Sequence, residues 1–212
     1  MVRVWDSFVR GFHWSQLLLL VGCWWTAEYG HMVWHQWVAM TLLAFWLVRV
    51  IWGFVGSPSA RFSHFVKSPA AVWRYGQQLL RHQAPAQLGH NPLGGWMVVA
   101  LMVVVGLQLG SGLFASDEIF FQGPLAAWVS ADTSSWLTLL HHRNFDYIVW
   151  LGIIHVLAVM VHCARGERLV PAMFSGRKRG VNGPSQVKAS WPAWLMLVLC
   201  WLALWFWWGA TL

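Results

Sequence analysis

Charged residues are scarce in this 212-residue chain, at 10%, against about 25% in a typical soluble domain. So few charges cannot cover a water-facing surface, which excludes an ordinary soluble fold and makes lipid the expected solvent. Regular alternation of apolar and polar residues is also missing, which argues against a membrane β-barrel. What is abundant is apolar and aromatic: 58% hydrophobic residues and 19 Trp. Tryptophan is typical of the bilayer interface.

Cysteine is equally sparse. Cys23, Cys163 and Cys200 form neither CxxC nor CxxCH. The chain alone therefore holds no covalent c-type haem, zinc knuckle or iron–sulfur cluster. The three residues are interpreted as small apolar packing residues.

Five apolar stretches are close to the roughly 20 residues that cross a bilayer as a helix. They lie at 12–29, 33–55, 95–115, 145–163 and 191–210. The sequence Leu20-Val21-Gly22-Cys23 resembles a lipoprotein cleavage box, but apolar sequence continues beyond it, so the first stretch is expected to be an uncleaved helix. The prediction is an all-α membrane protein.

Basic residues are distributed unevenly between the connections. If all five stretches cross, every Lys and Arg except Arg143 lies on one side, and most acidic residues lie on the other. The positive-inside rule then places the N-terminus in the cytoplasm and the C-terminus in the periplasm of a bacterial inner membrane. Nucleic-acid binding is not expected, because the basic segments are short and flank helices.

Ten histidines are unusual in so apolar a chain, because histidine inside a membrane normally implies a partner or a function. His13 lies near the inner face and His35 near the outer face. His141 and His155 are 14 residues apart on one predicted helix, which is about 21 Å and nearly four whole turns. This spacing predicts two pairs at two depths, His35 with His141 and His13 with His155.

Each pair is suited to hold one haem iron from opposite faces, since neutral imidazole is a good axial ligand. An iron with both axial positions filled transfers electrons and has no open site for substrate. The other histidines have weaker cases. His142 is an alternative to His141, and His162 is interpreted as an interfacial residue, a quinone contact or a proton relay. His31, His64, His82 and His90 are expected at the surface, although His90 is also considered near a redox site.

Two further residue types fit a haem. Haem propionates need basic partners, and Arg143 outside with Arg10 and Arg49 inside are the candidates; anchoring of the helix at the interface is an equally good interpretation of Arg49. Gly106 and Gly110 in the third stretch would allow close approach of a flat cofactor or, equally, of a neighbouring helix.

Several segments together resemble the bacterial cytochrome b561 family, which includes the b-type subunits of nickel–iron hydrogenases. They are VWDSFVRGFHW, His35 with Arg49 in RVIWGFVGSPSARFSHFV, GHNPLGGWMV, the His141/His155 pair and LVPAMFSGRKRG. The resemblance implies a four-helix bundle with two b haems, ligated by His13, His35, His141 and His155. The predicted organisation is this bundle at 1–180 with a cytoplasmic connection at 56–94, a linker at 181–190, and an additional transmembrane helix at 191–212. Pro171 departs from the pattern, because a helix former is expected there.

The resemblance also implies exchange of electrons between membrane quinone and a periplasmic partner, such as a multi-haem c-type cytochrome or an oxidoreductase subunit. The alternatives are a haem-bearing anchor of a larger complex and a standalone superoxide:quinone oxidoreductase, so whether the chain is itself an enzyme stays open. An acidic outer surface containing Asp117, Glu118 and Asp132 suits a cationic partner.

Overall fold

The computed structural model describes residues 1–85, 87–117, 121–179, 183–185 and 187–209. The long helices are α1 (Ser7–Glu28), α2 (Met32–Val55), α5 (Pro92–Gly112), α6 (Ala131–Ala164) and α8 (Trp191–Gly209). The shorter ones are α3 (Phe62–Phe65), α4 (Pro69–Leu80) and α7 (Leu169–Ser175), with a 3-10 turn at Ala126–Trp128. Two strands of two residues, β1 (Val2–Arg3) and β2 (Arg177–Lys178), form an antiparallel pair.

Within the described residues, four helices are long and apolar enough to cross a membrane: α2, α5, α6 and α8. The first predicted stretch is also a helix, and at 22 residues it is long enough. It is less apolar than the other four, because Arg10, His13, Gln16 and Glu28 interrupt it. The all-α prediction and four of the predicted spans are therefore confirmed as candidate spans.

α1 and α2 form a hairpin closed by only three residues, Tyr29, Gly30 and His31. Gly30 has a φ of 71°, a conformation that glycine adopts without strain. At the other end, the side chain of Asp6 caps α1 by accepting from the Val9 N–H at 2.8 Å. The hairpin thus carries His13 at one end and His35 at the other.

α6 is longer than predicted. Its apolar part was expected at 145–163, but the helix runs from Ala131 to Ala164. Its 34 residues span about 51 Å, well beyond a hydrocarbon core of about 30 Å. His141 therefore lies ten residues inside the helix rather than at its beginning.

Two apolar clusters hold the bundle together. One joins the starts of α1 and α8 to the end of α2, with Phe8, Val48 and Ala193 buried. The other joins α2, α5 and α6 through Leu42, Val105 and Ile148. α8 lies along α2, where Trp37 contacts Trp205 with ring centroids 4.3 Å apart.

The C-terminal end of α6 is separated from the next helix by a short turn. α6 ends at Ala164, and Gly166 follows with a φ of 90°. Pro171 then lies in the first turn of a new short helix, α7, where its missing N–H removes no helical hydrogen bond. The departure noted at Pro171 thus coincides with the start of a separate helix, not with a kink in α6.

Candidate haem site

The structure brings the four predicted histidines together in the two predicted pairs. The ring centroids of His35 and His141 are 6.3 Å apart, and those of His13 and His155 are also 6.3 Å apart. His35 is in the first turn of α2 and His13 in the second turn of α1, whereas both partners come from α6. Each pair therefore joins α6 to one helix of the α1–α2 hairpin. The His35–His141 pair is called the outer pair and the His13–His155 pair the inner pair, after their predicted depths.

This separation suits two rings bound to one metal ion. A metal–imidazole bond is about 2 Å long, so two nitrogens on opposite sides of a metal lie about 4 Å apart, and each ring centroid lies about 1 Å beyond its nitrogen. The expected distance between centroids is about 6 Å. Both pairs have that distance, although each is formed by residues far apart in sequence.

Hydrogen bonds orient both rings of the outer pair. His35 Nδ1 lies 2.8 Å from the Cys23 carbonyl, and His141 Nδ1 lies 2.9 Å from the Gln108 carbonyl. A carbonyl only accepts, so each Nδ1 carries the proton and each Nε2 keeps its lone pair. This is the tautomer that a metal-binding imidazole needs, held by a backbone oxygen.

A polar network surrounds His141. Asn144 donates at 2.8 Å to the Gln108 side-chain oxygen, which turns the Gln108 amide nitrogen toward His141 Nε2 at 3.2 Å. Iron at Nε2 would replace this last contact. Gly112 also touches the ring, because a Cβ there would lie 2.9 Å from His141 Cε1. The residue types gave no signal for Gln108 or Asn144, whereas Gly112 belongs to the glycine cluster of the third apolar stretch, where close approach of a flat group is predicted.

The inner pair lies in a region with unsatisfied polar atoms. Buried nitrogens of His13 (Nδ1), Arg49 (Nη1), Arg61 (Nε) and His90 (Nδ1) have no hydrogen-bond partner. Buried donors in a native protein are normally paired. A cofactor carrying carboxylates would supply acceptors to such arginines, so the inner residues fit a haem with its propionates.

Arg49 is the most buried of the predicted basic residues, with 2% of its surface exposed. Its guanidinium lies over the rings of Phe62 and Phe12, at 5.4 and 5.9 Å from the centroids. The interfacial-anchor interpretation does not fit this burial, because a snorkelling side chain keeps its charge in water. Arg10 donates from Nη1 to the Phe174 carbonyl, while its buried Nε has no partner.

The remaining predicted site residues lie apart from the pairs or have other neighbours. Arg143 is exposed, and two residues along a helix place it about 200° round α6 from His141. A Cβ at Gly106 would come 2.5 Å from Trp46, which favours helix packing there. Gly110 has open space around it, so close approach of a cofactor stays a prediction at that position.

His90 is only half-buried, yet it differs from a surface histidine. Its ring lies between Trp5 and Phe65, with centroids 4.6 Å from each. Burial and the Arg49 charge lower its pKa to about 3, so the ring is neutral. His64 and His82 are exposed, as predicted. His90 thus joins the inner site, the less favoured of its two interpretations.

His162 is buried in a hydrogen-bond network at the C-terminal end of α6. Its Nδ1 donates to Glu167 at 2.7 Å, and its Nε2 faces the Asn91 amide nitrogen at 3.3 Å. Asn91 Oδ1 caps α5 through the Gly94 N–H, which leaves the Asn91 amide nitrogen to face His162. Lys178 completes the network with a 3.0 Å ion pair to Glu167. The side chain is thus buried by protein contacts, and the interfacial, quinone-contact and proton-relay interpretations of His162 stay predictions.

The family model for prokaryotic cytochrome b561 matches residues 4–176 of this chain. The chain belongs to the prokaryotic cytochrome b561 family. It is thus a membrane cytochrome whose family implies b-type haem and electron transfer across the membrane. The matched residues include both histidine pairs and end before α8, which lies outside the family match.

One curated relative is a protein named "Probable Ni/Fe-hydrogenase B-type cytochrome subunit", from Bradyrhizobium diazoefficiens. It is 25% identical over 166 residues, which cover 68% of this chain. The chain spans 65% of the length of that relative. No solved structure matches the chain.

Proposed function

We propose that this b561 cytochrome carries electrons across the membrane through two b haems, each held by two histidines. His35 and His141 hold the outer haem, and His13 and His155 hold the inner one. The observation that carries this proposal is the equal 6.3 Å separation of both pairs at two levels of α6. The levels are about 21 Å apart along the helix.

Five membrane spans follow from the same arrangement. α1 packs along α2, and its His13 meets the inner end of α6 while its last turns meet His35. α1 therefore covers the same depth as α2, and its His13 faces a cofactor instead of lipid. With five spans, the basic connections lie in the cytoplasm and the C-terminus lies in the periplasm.

The haem irons supply reversible one-electron chemistry, and this chain's residues restrict what the irons do. A haem held by one histidine on each face would have no open position for oxygen or substrate and would carry out electron transfer alone. The carbonyls of Cys23 and Gln108 keep Nε2 of the outer histidines available for the metal. The buried Arg49, with an unpaired Nη1, is placed to neutralise a propionate near the inner pair.

Electron exchange with membrane quinone on one side and a periplasmic redox protein on the other is the most suitable role. The outer face presents Asp117, Asp132 and Asp146, all exposed, and acidic groups favour docking of a cationic c-type cytochrome. Glu118, also predicted in this surface, lies outside the described residues. The name of the Bradyrhizobium relative favours a second role, that of a haem-bearing subunit of a larger oxidoreductase.

The two-haem proposal is tested by measuring haem in purified protein. The pyridine haemochromogen assay should give two b haems per chain, and His35→Ala and His155→Ala should each lose one. His142→Ala and His64→Ala are matched controls, since both histidines are exposed, and both variants should keep two haems. Retention of two haems in either test variant would show that the ligand assignment is wrong.

The partner roles are separated by a second measurement. The purified chain alone is mixed with a reduced soluble c-type cytochrome and a water-soluble quinone. Quinone reduction by the isolated chain supports independent electron transfer. Activity that appears only when a copurifying haem or metal subunit is restored supports the subunit role.

A further inference from the structure

A cavity of about 540 Å³ lies at the basic side of the protein, at the point where α1 and α8 both begin. Its volume is within the range of small-ligand sites, about 300–1,000 Å³. None of the four paired histidines lines it. The cavity therefore contains none of the predicted iron ligands, although Arg10, a candidate propionate partner, lies on its wall.

Cations dominate the lining. The lining includes four cations, Arg3, Arg10, Arg177 and Lys188, and one carboxylate, that of Asp6. Both oxygens of the Asp6 carboxylate already accept hydrogen bonds, one from the Val9 N–H at 2.8 Å and one from the Trp52 indole at 3.0 Å. Across the described residues, the two ion pairs both involve Glu167, so these four cations have no carboxylate partner there.

Two of the cations are placed directly against each other. Arg3 and Arg177 are register partners in the β1–β2 pair, where like charges are normally destabilising because the Cβ atoms are about 5 Å apart. In the neighbouring register pair, Val2 and Lys178, the single charge is instead neutralised by the ion pair of Lys178 with Glu167. An anion between Arg3 and Arg177 would remove the repulsion.

Other polar groups complete the lining. The hydroxyls of Ser7 and Ser190 lie 2.6 Å apart, at the first residue of α1 and just before α8. Helix starts carry partial positive charge, which adds to the four cations. The 187–190 segment is fixed to the end of α2 by a hydrogen bond from the Lys188 N–H to the buried Ser57 hydroxyl, at 3.0 Å.

We propose that this cavity binds a phosphate-bearing anion, and that its occupant is the head group of an anionic phospholipid. α8 enters the membrane beside the cavity, and basic pockets between membrane helices on the cytoplasmic side suit such head groups. Residues 187–190 lie beyond the family match at 4–176, so the segment that adds α8 also completes this site. The bound lipid joins the additional helix to the b561 bundle.

The test is native mass spectrometry of the delipidated, haem-loaded protein, with phosphatidylglycerol, phosphatidylcholine or inorganic phosphate added back. Arg177→Gln/Lys188→Gln should weaken phosphatidylglycerol binding about tenfold or more. Arg74→Gln/Arg168→Gln removes the same charge from exposed positions outside the cavity and should change binding less than about twofold. The reduced haem spectrum should be the same in all variants.

The arms of the experiment identify the source of the phosphate. Phosphatidylglycerol binding that persists in millimolar inorganic phosphate identifies the lipid, whereas saturable binding of inorganic phosphate that displaces the lipid identifies a soluble phosphate ligand at the same site. Equal weakening by both double variants, equal binding of phosphatidylcholine, or haem loss in the cavity variant would overturn the proposal. If Arg177→Gln disrupts the strand pair, Lys188→Gln alone should still weaken lipid binding about threefold.

Discussion

Gly112 lies directly against the imidazole of His141. A Cβ at Gly112 would come within 2.9 Å of Cε1 and 3.1 Å of Nδ1 of that ring. The ring cannot retreat freely, because Nδ1 is hydrogen-bonded to the Gln108 carbonyl. We expect Gly112→Ala to displace the outer ligand and lower outer-haem occupancy, with overpacking costing about 1–3 kcal/mol. Haem content and a redox titration of each haem measure this.

A control for Gly112→Ala is Gly76→Ala on the surface helix α4, where a Cβ would meet nothing within 4 Å. Gly76→Ala should leave both haems unchanged and slightly raise helix stability. An intact outer haem in Gly112→Ala would contradict the assignment of His141 to that haem.

Substitutions at Gly106 and Gly110 distinguish the two interpretations of the glycines in α5, close approach of a neighbouring helix and close approach of a haem. Gly106→Ala would place a Cβ 2.5 Å from Trp46 and should lower thermal stability with both haems affected alike. Gly110 has open space in its surroundings. If a haem fills that space, Gly110→Ala should reduce haem binding more than stability. A Gly110→Ala variant with normal haem content would show that no cofactor approaches Gly110.

Asp6 should contribute more to the free energy of unfolding than an ordinary helix cap. Its carboxylate caps α1 and accepts from the Trp52 indole of α2, with 1% of its surface exposed. We expect Asp6→Ala to cost about 3 kcal/mol, because a cap and a hydrogen bond to a charged group are lost together. Ser68→Ala removes an exposed cap of α4, with a 3.4 Å hydrogen bond, and should cost below about 1 kcal/mol. Equal losses in unfolding experiments would disprove this ranking.

Glu167 should make stability depend on pH. Burial alone would raise its pKa, but the hydrogen bonds from His162 and Lys178 and the Lys178 charge outweigh it and hold the pKa below the ordinary 4.5. The ionised carboxylate therefore stabilises the fold fully above about pH 4.5, and this contribution is lost as the pH falls through the lowered pKa. Thermal unfolding at several pH values measures the loss.

Glu167→Gln should be less stable at neutral pH by about 1–3 kcal/mol and should lose part of the acid sensitivity of the wild type. Asp146→Asn changes an exposed carboxylate on the outer side and should leave that sensitivity in place. The same acid sensitivity in Glu167→Gln would contradict the role of the network around His162.

The histidine pairs could be predicted because their signal is local: a 14-residue spacing on one helix and two histidines at opposite depths. Ser68 and Pro69 likewise begin α4 as expected. The extra turns of α6 were missed because hydropathy detects only the part of a helix that contacts lipid, whereas 131–144 is polar and still helical. The surroundings of His162 and His90 could not be predicted, because they depend on tertiary contacts. His162 contacts Glu167, and His90 contacts Trp5 and Phe65. Two-residue strands such as β1 and β2 also have no period to detect.

The sharing of α6 by both histidine pairs has a consequence for how the protein is made. α1 and α2 leave the ribosome first, and each brings a single haem ligand. Neither site is complete until α6 follows, about a hundred residues later. On our ligand assignment the hairpin alone supplies only one ligand at each level, and both ligand sets are completed within the synthesis of a few turns of one helix. Insertion of α6 is therefore the step of assembly that supplies the second histidine of each pair.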